Sequence, residues 1–208
     1  MTDQEQFADR FSVSRETIDR LSHYETLLVK WTSKINLIAK STVPEIWSRH
    51  FVDSAQVFEA VPADAQKLCD LGSGGGFPGL VIAALAKEKA PNLNVTLVES
   101  DLRKASFLMA AAREMDLDVN ILAERVEQLS PQAADVVTAR ALAPLVALMS
   151  MADLHLKKGG TALFLKGERY QQELDTAAEM WDFNYEKRLS MTSDESALII
   201  ITKLRRAA

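Results

Sequence analysis

The 208-residue chain is 48% hydrophobic and 25% charged, the balance of a soluble globular protein with enough apolar residues to bury one sizeable core. No apolar run is long enough to span a bilayer and the polar start "MTDQEQFADRF" has no signal-peptide core, so a cytoplasmic protein is expected. One cysteine, Cys69, excludes an internal disulfide framework and a cysteine zinc site, three dispersed histidines give no metal motif, and a net charge of −5 excludes gripping nucleic acid through bulk attraction.

The N-terminal part reads as helical. Ser14 can cap a helix whose apolar positions run Ile18, Leu21, Leu28, Trp31, Ile35 and Ile38, with Val13 and Ile18 placed as a hydrophobic staple. Trp31 and Trp47 fall on apolar helical positions and are expected in the core. A second helix is predicted from near Pro44, which a first turn tolerates, through "EIWSRHFVDSAQVFEAV" to just before Pro62. Between Lys30 and His50 the cations Lys30, Lys34, Lys40 and Arg49 face only Glu45, a small basic patch on an acidic body.

From Lys67 strands and helices alternate. Strands are predicted near 67–70, 94–99, 118–122, 134–139, 161–165, 183–189 and 196–203, with helices near 78–90, 101–116, 144–156 and 168–181. This is the signature of a doubly wound α/β fold with a mostly parallel sheet. The last two strands have only a polar loop between them, so the sheet should end in an antiparallel hairpin. The expected organisation is a helical extension over residues 1–62 and a Rossmann-like domain over 63–208.

The first strand runs into "DLGSGGGFPGL", where five of the chain's eight glycines fall within residues 72–79 before a helix begins. Such a loop lets backbone approach a ligand, and the helix behind it offers N–H groups to a polar one. A Walker loop is excluded, because Leu80 stands where that motif needs a Lys-Ser or Lys-Thr pair after its last glycine. Gly74, Gly76 and Gly79 satisfy the dinucleotide pattern G-x-G-x-x-G, but Asp70 to Gly76 also reads D-x-G-x-G-x-G. Glu99, ending the second strand, could accept the ribose hydroxyls of an adenosine in either ligand. The terminal hairpin, Pro78 in the helix's first turn, and Asp70 answering a cationic ligand end directly or through water favour S-adenosylmethionine over NAD.

In order along the chain, "LLVKWTSKINLI", "RHFVDS", "DLGSGGGFPGL", "LVESDLRKASFL", "ERVE", "ADVVTARALAPL" and "KKGGTALFLKG" resemble the RsmG family, once called the glucose-inhibited division protein B family. The resemblance spans nearly the whole chain. It implies an S-adenosylmethionine-dependent methyltransferase acting on N7 of guanine 527 of 16S rRNA, with the RNA, the small ribosomal subunit or an assembly intermediate as partner and no metal. An NAD-dependent oxidoreductase and a non-catalytic cofactor- or RNA-binding module are the rival readings. The family's Trp-Asn-x-x-x-Asn-Leu-Thr is departed from at Thr32 and Ile38, whereas Asn36 keeps the second asparagine.

By resemblance, Gly72, Gly74, Phe77, Val126, Glu127 and Arg140 join Asp70 and Glu99 around the cofactor. Arg140, at the end of the fourth strand, could meet the cofactor carboxylate, an RNA phosphate or Asp70, or form an ordinary ion pair. Lys166, ending the fifth strand, is aimed at the same crevice or snorkels at the surface. His50 and Asp53 are three apart and share a helix face, presented to RNA or packed on the catalytic domain. RNA contacts are thus expected at Lys34, Asn36, Arg49, His50, Asp53 and Lys166. Guanine N7 carries its own lone pair, so no catalytic base is required, and Cys69 reads as a buried small hydrophobe.

Overall fold

The computed structural model describes residues 1–207. Its centre is a seven-stranded sheet of β1 (Lys67–Leu71), β2 (Asn94–Val98), β3 (Val119–Leu122), β4 (Ala134–Arg140), β5 (Leu156–Lys166), β6 (Trp181–Leu189) and β7 (Ala197–Arg206). The strand order is β3-β2-β1-β4-β5-β7-β6. The first five strands are parallel; β7 runs antiparallel to both β5 and β6, inserted between them. The order reverses between β1 and β4, which places a crevice at the carboxyl ends of those strands.

Helices α4 (Gly79–Lys89) and α5 (Leu102–Glu114) cover one face, and α6 (Leu145–His155) and α7 (Tyr170–Ala178) the other. The two faces follow from strand alternation. In β1, Leu68 belongs to the α4 core, whereas Cys69 and Leu71 belong to the α6 core. Helix α4 is apolar all round because a third layer covers it, and Leu80, Val81, Ile82 and Leu85 are each at most 1% exposed.

That third layer comes from α1 (Asp3–Phe11), α2 (Arg15–Thr32) and α3 (Val52–Phe58), whose Phe7, Leu21, Tyr24 and Ala55, with Phe51 just before α3, join the same hydrophobic cluster as α4 and α5. Helix α1 is an element the sequence reading did not include; a capping box between Thr2 and Glu5 starts it, and Phe7 and Phe11 anchor it. Ser14 caps α2 by accepting from Thr17 N, and Glu88 at the end of α4 accepts from the Ser14 amide at 3.1 Å and from Thr17 Oγ1 at 2.7 Å. These bonds clamp the extension to the sheet domain.

Two expected helices are redrawn. Helix α2 ends at Thr32 rather than running to Ile38; Trp31 O takes both Lys34 N and Ile35 N, and the chain turns away. Leu37 to Ala39 then border the glycine-loop cavity, with Leu37 O where a Cβ on Gly75 would approach to 3.0 Å. The predicted second helix is a 3-10 turn at Lys40–Glu45 containing Pro44, then a π-helical turn at Ile46–Phe51, and only then α3.

Candidate active site

The crevice at the switch point holds a cavity of about 460 Å³ lined by the glycine loop (Gly72 to Gly75, Phe77), Glu99, Val126, Glu127, His50 and Arg140. The volume falls in the range of small-molecule sites. Seven of the eight positions expected at the cofactor border it; Asp70 does not. Leu37, Ile38, Ala39, Lys104 and Arg125 also line it and were not foreseen, the first three because their spacing continued the helical pattern of α2.

Asp70 requires a correction. It is fully buried beneath the loop, on the Leu68 side of β1 that faces α4. Its Oδ1 accepts from Thr138 Oγ1 at 2.7 Å and its Oδ2 from Gly79 N at 3.2 Å. Burial pushes its pKa up to about 6 against the bonds from Ser73, Thr138 and Gly79 that lower it, so it is chiefly ionised at pH 7. The first amide of α4 is therefore spent on Asp70 rather than offered to a ligand. Asp70 is the carboxylate on which the loop and helix are built.

Glu99 faces the cavity but is only 7% exposed. Its Oε2 accepts from Gly74 N at 2.9 Å and its Oε1 from Asp101 N at 2.8 Å. Each oxygen keeps a second lone pair, so the carboxylate is fixed in place yet still able to accept two hydroxyls. Gly74 has φ +55°, and a Cβ there would find only Gly72 O, at 3.8 Å. Gly76 is tighter: at φ +94°, a Cβ would meet Tyr24 Oη and Leu80 Cδ1 at 2.5 Å. Tyr24, buried on α2, donates its hydroxyl to Gly75 O, and burial holds its pKa well above the usual phenol value.

The opposite wall begins at a 3-10 turn, Val126–Gln128, with Val126 buried and Glu127 exposed. His155 Nε2 bonds Val126 O at 3.0 Å; since a carbonyl only accepts, that nitrogen carries the proton. Buried His155 thus pins the turn from below.

Arg140 joins this cavity to a second one. Its Nη2 donates to His50 Nδ1 at 2.5 Å, its Nη1 lies 3.6 Å from Asp53 Oδ2, and its guanidinium stands 5.4 Å from the Phe77 ring centre. Because arginine only donates, His50 Nδ1 accepts, and its Nε2–H must donate to Thr42 Oγ1 at 2.8 Å, which passes its own proton to Ala39 O at 2.8 Å. Burial, with Arg140 and Arg49 nearby, lowers the His50 pKa to about 3, so the ring is neutral. Of the two readings left open for His50 and Asp53, the structure displays the packed polar contact: both hold Arg140, and Asp53 Oδ1 also accepts from Gln56, Ser190 and Thr192. Arg140 Nη1 is buried without a hydrogen-bond partner among the described residues.

The second cavity, about 420 Å³, is lined by Arg49, Asp53, Arg140, Lys166, Arg169 and hydroxyls of Thr192, Ser193 and Ser196. Lys166 borders it but is already engaged, 2.7 Å from Glu173 Oε2 and donating to Ala143 O at 3.0 Å; its side chain is 10% exposed. It neither snorkels nor stands free. Lys34 and Asn36 lie elsewhere, in a third cleft. Of the six residues expected at RNA, five therefore fall in the two flanking cavities, and His50 lines the central one. Cys69 is 1% exposed with its thiol pushed up to about 12 by burial and by Asp70, so it offers no nucleophile.

Comparison with known proteins shows the family. Residues 17–200 match the family described as rRNA small subunit methyltransferase G. The chain belongs to that family. Relatives called ribosomal RNA small subunit methyltransferase G include one from Jannaschia sp. (strain CCS1), 50% identical over 90% of this chain and 89% of its own. Another, from Ruegeria pomeroyi, is 45% identical over 96% of this chain and 97% of its own. Among solved structures the fold resembles a ribosomal protein L11 methylase from Lactobacillus delbrueckii subsp. bulgaricus, with TM-score 0.59 at 16% identity and 81% of each chain covered. It also resembles M. jannaschii TYW2 in complex with AdoMet, with TM-score 0.56 at 15% identity over 85% of this chain and 80% of that one. Among the described residues no helix is long and apolar enough to cross a membrane.

Proposed function

We propose that the protein transfers a methyl group from S-adenosylmethionine to N7 of guanine 527 of 16S rRNA in the cytoplasm, with the 63–208 domain binding the cofactor and the 1–62 extension helping to receive RNA. The observation that carries the cofactor reading is what the loop amides are doing. Gly74 N is bonded to Glu99 and Gly79 N to Asp70, so two carboxylates occupy the places where a pyrophosphate would seek N–H donors. The pyrophosphate of a dinucleotide would be repelled by that charge, whereas an uncharged ribose diol facing Glu99 and a cationic sulfonium would not be.

The residues fit S-adenosylmethionine, which supplies an activated methyl group. Glu99 accepts the ribose hydroxyls, Val126 offers an apolar wall to adenine with Glu127 beside it, and Gly72, Gly74 and Phe77 shape the side nearest the sulfur. Arg140, held by His50 and Asp53, stands where the cofactor cavity opens into the second one, with an unsatisfied N–H for a carboxylate, a phosphate or a base oxygen. Guanine N7 is nucleophilic as it stands, so the protein's work is alignment; proximity of this kind supplies roughly 7–11 kcal/mol of a barrier. His50, with both ring nitrogens engaged and its pKa lowered to about 3, is too weak a base to take a proton, and this and the inert Cys69 agree with a reaction that abstracts no proton and forms no covalent enzyme adduct.

The test is transfer of labelled methyl from S-adenosylmethionine to unmethylated small ribosomal subunits, followed by nucleoside analysis. The reading predicts label in 7-methylguanosine. Label in another nucleoside would refute the N7 assignment, and no transfer despite cofactor binding would favour a non-catalytic module.

A further inference from the structure

A third cleft, about 340 Å³, opens between the end of α2 and the start of α5, on the side of the cofactor cavity away from Arg140. Lys34, Lys40, Arg103 and Lys104 line it, with Asp101 as its one acid. Asp101 is committed locally: its Oδ1 caps α5 by accepting from Arg103 N and Lys104 N, and its Oδ2 lies 3.2 Å from Arg103 Nη2. Lys34, Lys40 and Lys104 form no ion pair among the described residues. A protein with net charge −5 has thus gathered four cations against one spent carboxylate.

A second observation points to an occupant. Thr32, 4% exposed, is on the wall of this cleft, and its Oγ1 has no hydrogen-bond partner among the described residues. Buried hydroxyls are ordinarily paired, and this unpaired one belongs to a residue that lines the cationic cleft, so a small side-chain rotation would be needed for it to meet an occupant. Lys104 borders both this cleft and the cofactor cavity, just as Arg140 and Ala141 border both the cofactor cavity and the Arg49–Arg169 cavity. The three concavities are therefore neighbours, with cations lining both outer ones and the glycine loop lining the central one.

We propose that the Lys34–Lys40–Arg103–Lys104 cleft binds the phosphate backbone of single-stranded RNA flanking the target nucleotide, an inference that rests on the rRNA methyltransferase reading above. The cations are carried on long side chains, Lys34, Lys40 and Arg103 being exposed, which suits a run of phosphates along a strand better than one small anion. Asn36, also exposed, supplies the amide that can reach a 2′-hydroxyl or base edge. A strand held here on one side and near Arg49 and Arg169 on the other is anchored at both flanks while the target base turns into the centre.

The test compares wild type with a Lys34→Ala/Lys40→Ala/Arg103→Ala variant and with a charge-preserving Lys34→Arg/Lys40→Arg/Arg103→Lys variant. None of the three positions borders the cofactor cavity. Binding to unmethylated small subunits and to deproteinised 16S rRNA is measured against salt, together with steady-state transfer and calorimetric affinity for S-adenosylhomocysteine. On both RNAs the alanine variant should flatten the log–log salt slope by about 2, since each single-strand phosphate contact contributes roughly 0.7. Its KM for subunits should rise about tenfold or more with kcat and S-adenosylhomocysteine affinity unchanged, and the charge-preserving variant should behave as wild type. An unchanged slope and KM would overturn the proposal, as would lost S-adenosylhomocysteine affinity or a defect seen on subunits but absent on naked RNA, which would make the cleft a protein contact. A wild-type enzyme that neither binds nor methylates subunits would instead overturn the underlying reading.

Discussion

The floor of the cofactor cavity and the cleft beside it are built on opposite plans. Around the glycine loop the key polar groups are already joined: Glu99 to two amides, Asp70 to Thr138 and Gly79, Tyr24 to Gly75, and Arg140 through His50 and Thr42 to Ala39. In the Lys34–Arg103 cleft, three of the four cations stand exposed and three of the four make no ion pair among the described residues. The first arrangement fixes a small ligand to within tenths of an ångström; the second attracts a flexible polyanion and adapts to it.

If the comparison holds, substitutions in the floor cost stability or cofactor affinity, and substitutions in the cleft cost neither. The largest effect is expected from Gly76→Val. A branched side chain at φ +94° would collide with Tyr24 Oη and Leu80 Cδ1, each 2.5 Å from its Cβ, so strain and overpacking together should cost about 5 kcal/mol in chemical denaturation. A loss under 1 kcal/mol would mean the loop is looser than its bonding indicates.

Next is the acid response of His50. Its folded pKa lies near 3, below the ordinary 6.5, so the unfolded chain takes up the proton first and stability falls as pH drops from 6.5 toward 3. The full window corresponds to up to about 5 kcal/mol. Asp70, raised to about 6, works in the opposite sense and loses stability as pH rises from about 4 to 6. Between about pH 6 and 4 the two slopes oppose and largely cancel, so the predicted decline in wild type falls mainly below pH 4, whereas His50→Gln should gain stability as pH drops from 6 to 4; denaturation at stepped pH measures both. Equal pH responses in both proteins would show that His50 is protonated in the fold.

Glu99→Ala should follow, weakening S-adenosylhomocysteine by about 3 kcal/mol in calorimetry, because it removes a charged acceptor and leaves the Gly74 and Asp101 amides unpaired. The smallest effect belongs to the cleft: Lys40→Ala should alter stability by no more than about 0.5 kcal/mol and leave cofactor affinity alone. A larger change would erase the contrast between the two regions.

Where the sequence was readable and where it was not divides along the same line. Strands and helices from Lys67 onward announce themselves by periodicity, and the hairpin at the end follows from the missing helix between "FNYEKRL" and "ALIIITK". That β7 slots between β5 and β6 depends on pairing, which local pattern does not encode. Ile35 and Ile38 sit at helical spacing after α2 although the chain has already turned, because Ile38 is buried by the core from a non-helical segment. The Thr2–Glu5 spacing with Phe7 and Phe11 behind it was a readable signal for α1. Asp70 was also partly readable: residues 68 and 70 share a strand face, and an apolar Leu68 beneath α4 puts the carboxylate under the loop rather than above it. The pairing of Lys166 with Glu173 joins β5 to α7 and had no sequence signature.

The most direct test of the whole account is to map N7-methylguanosine in 16S rRNA from cells with and without this protein. The account predicts that modification at guanine 527 disappears without the protein and returns with the wild-type chain but not with Glu99→Ala. Full modification in cells lacking the protein would contradict it.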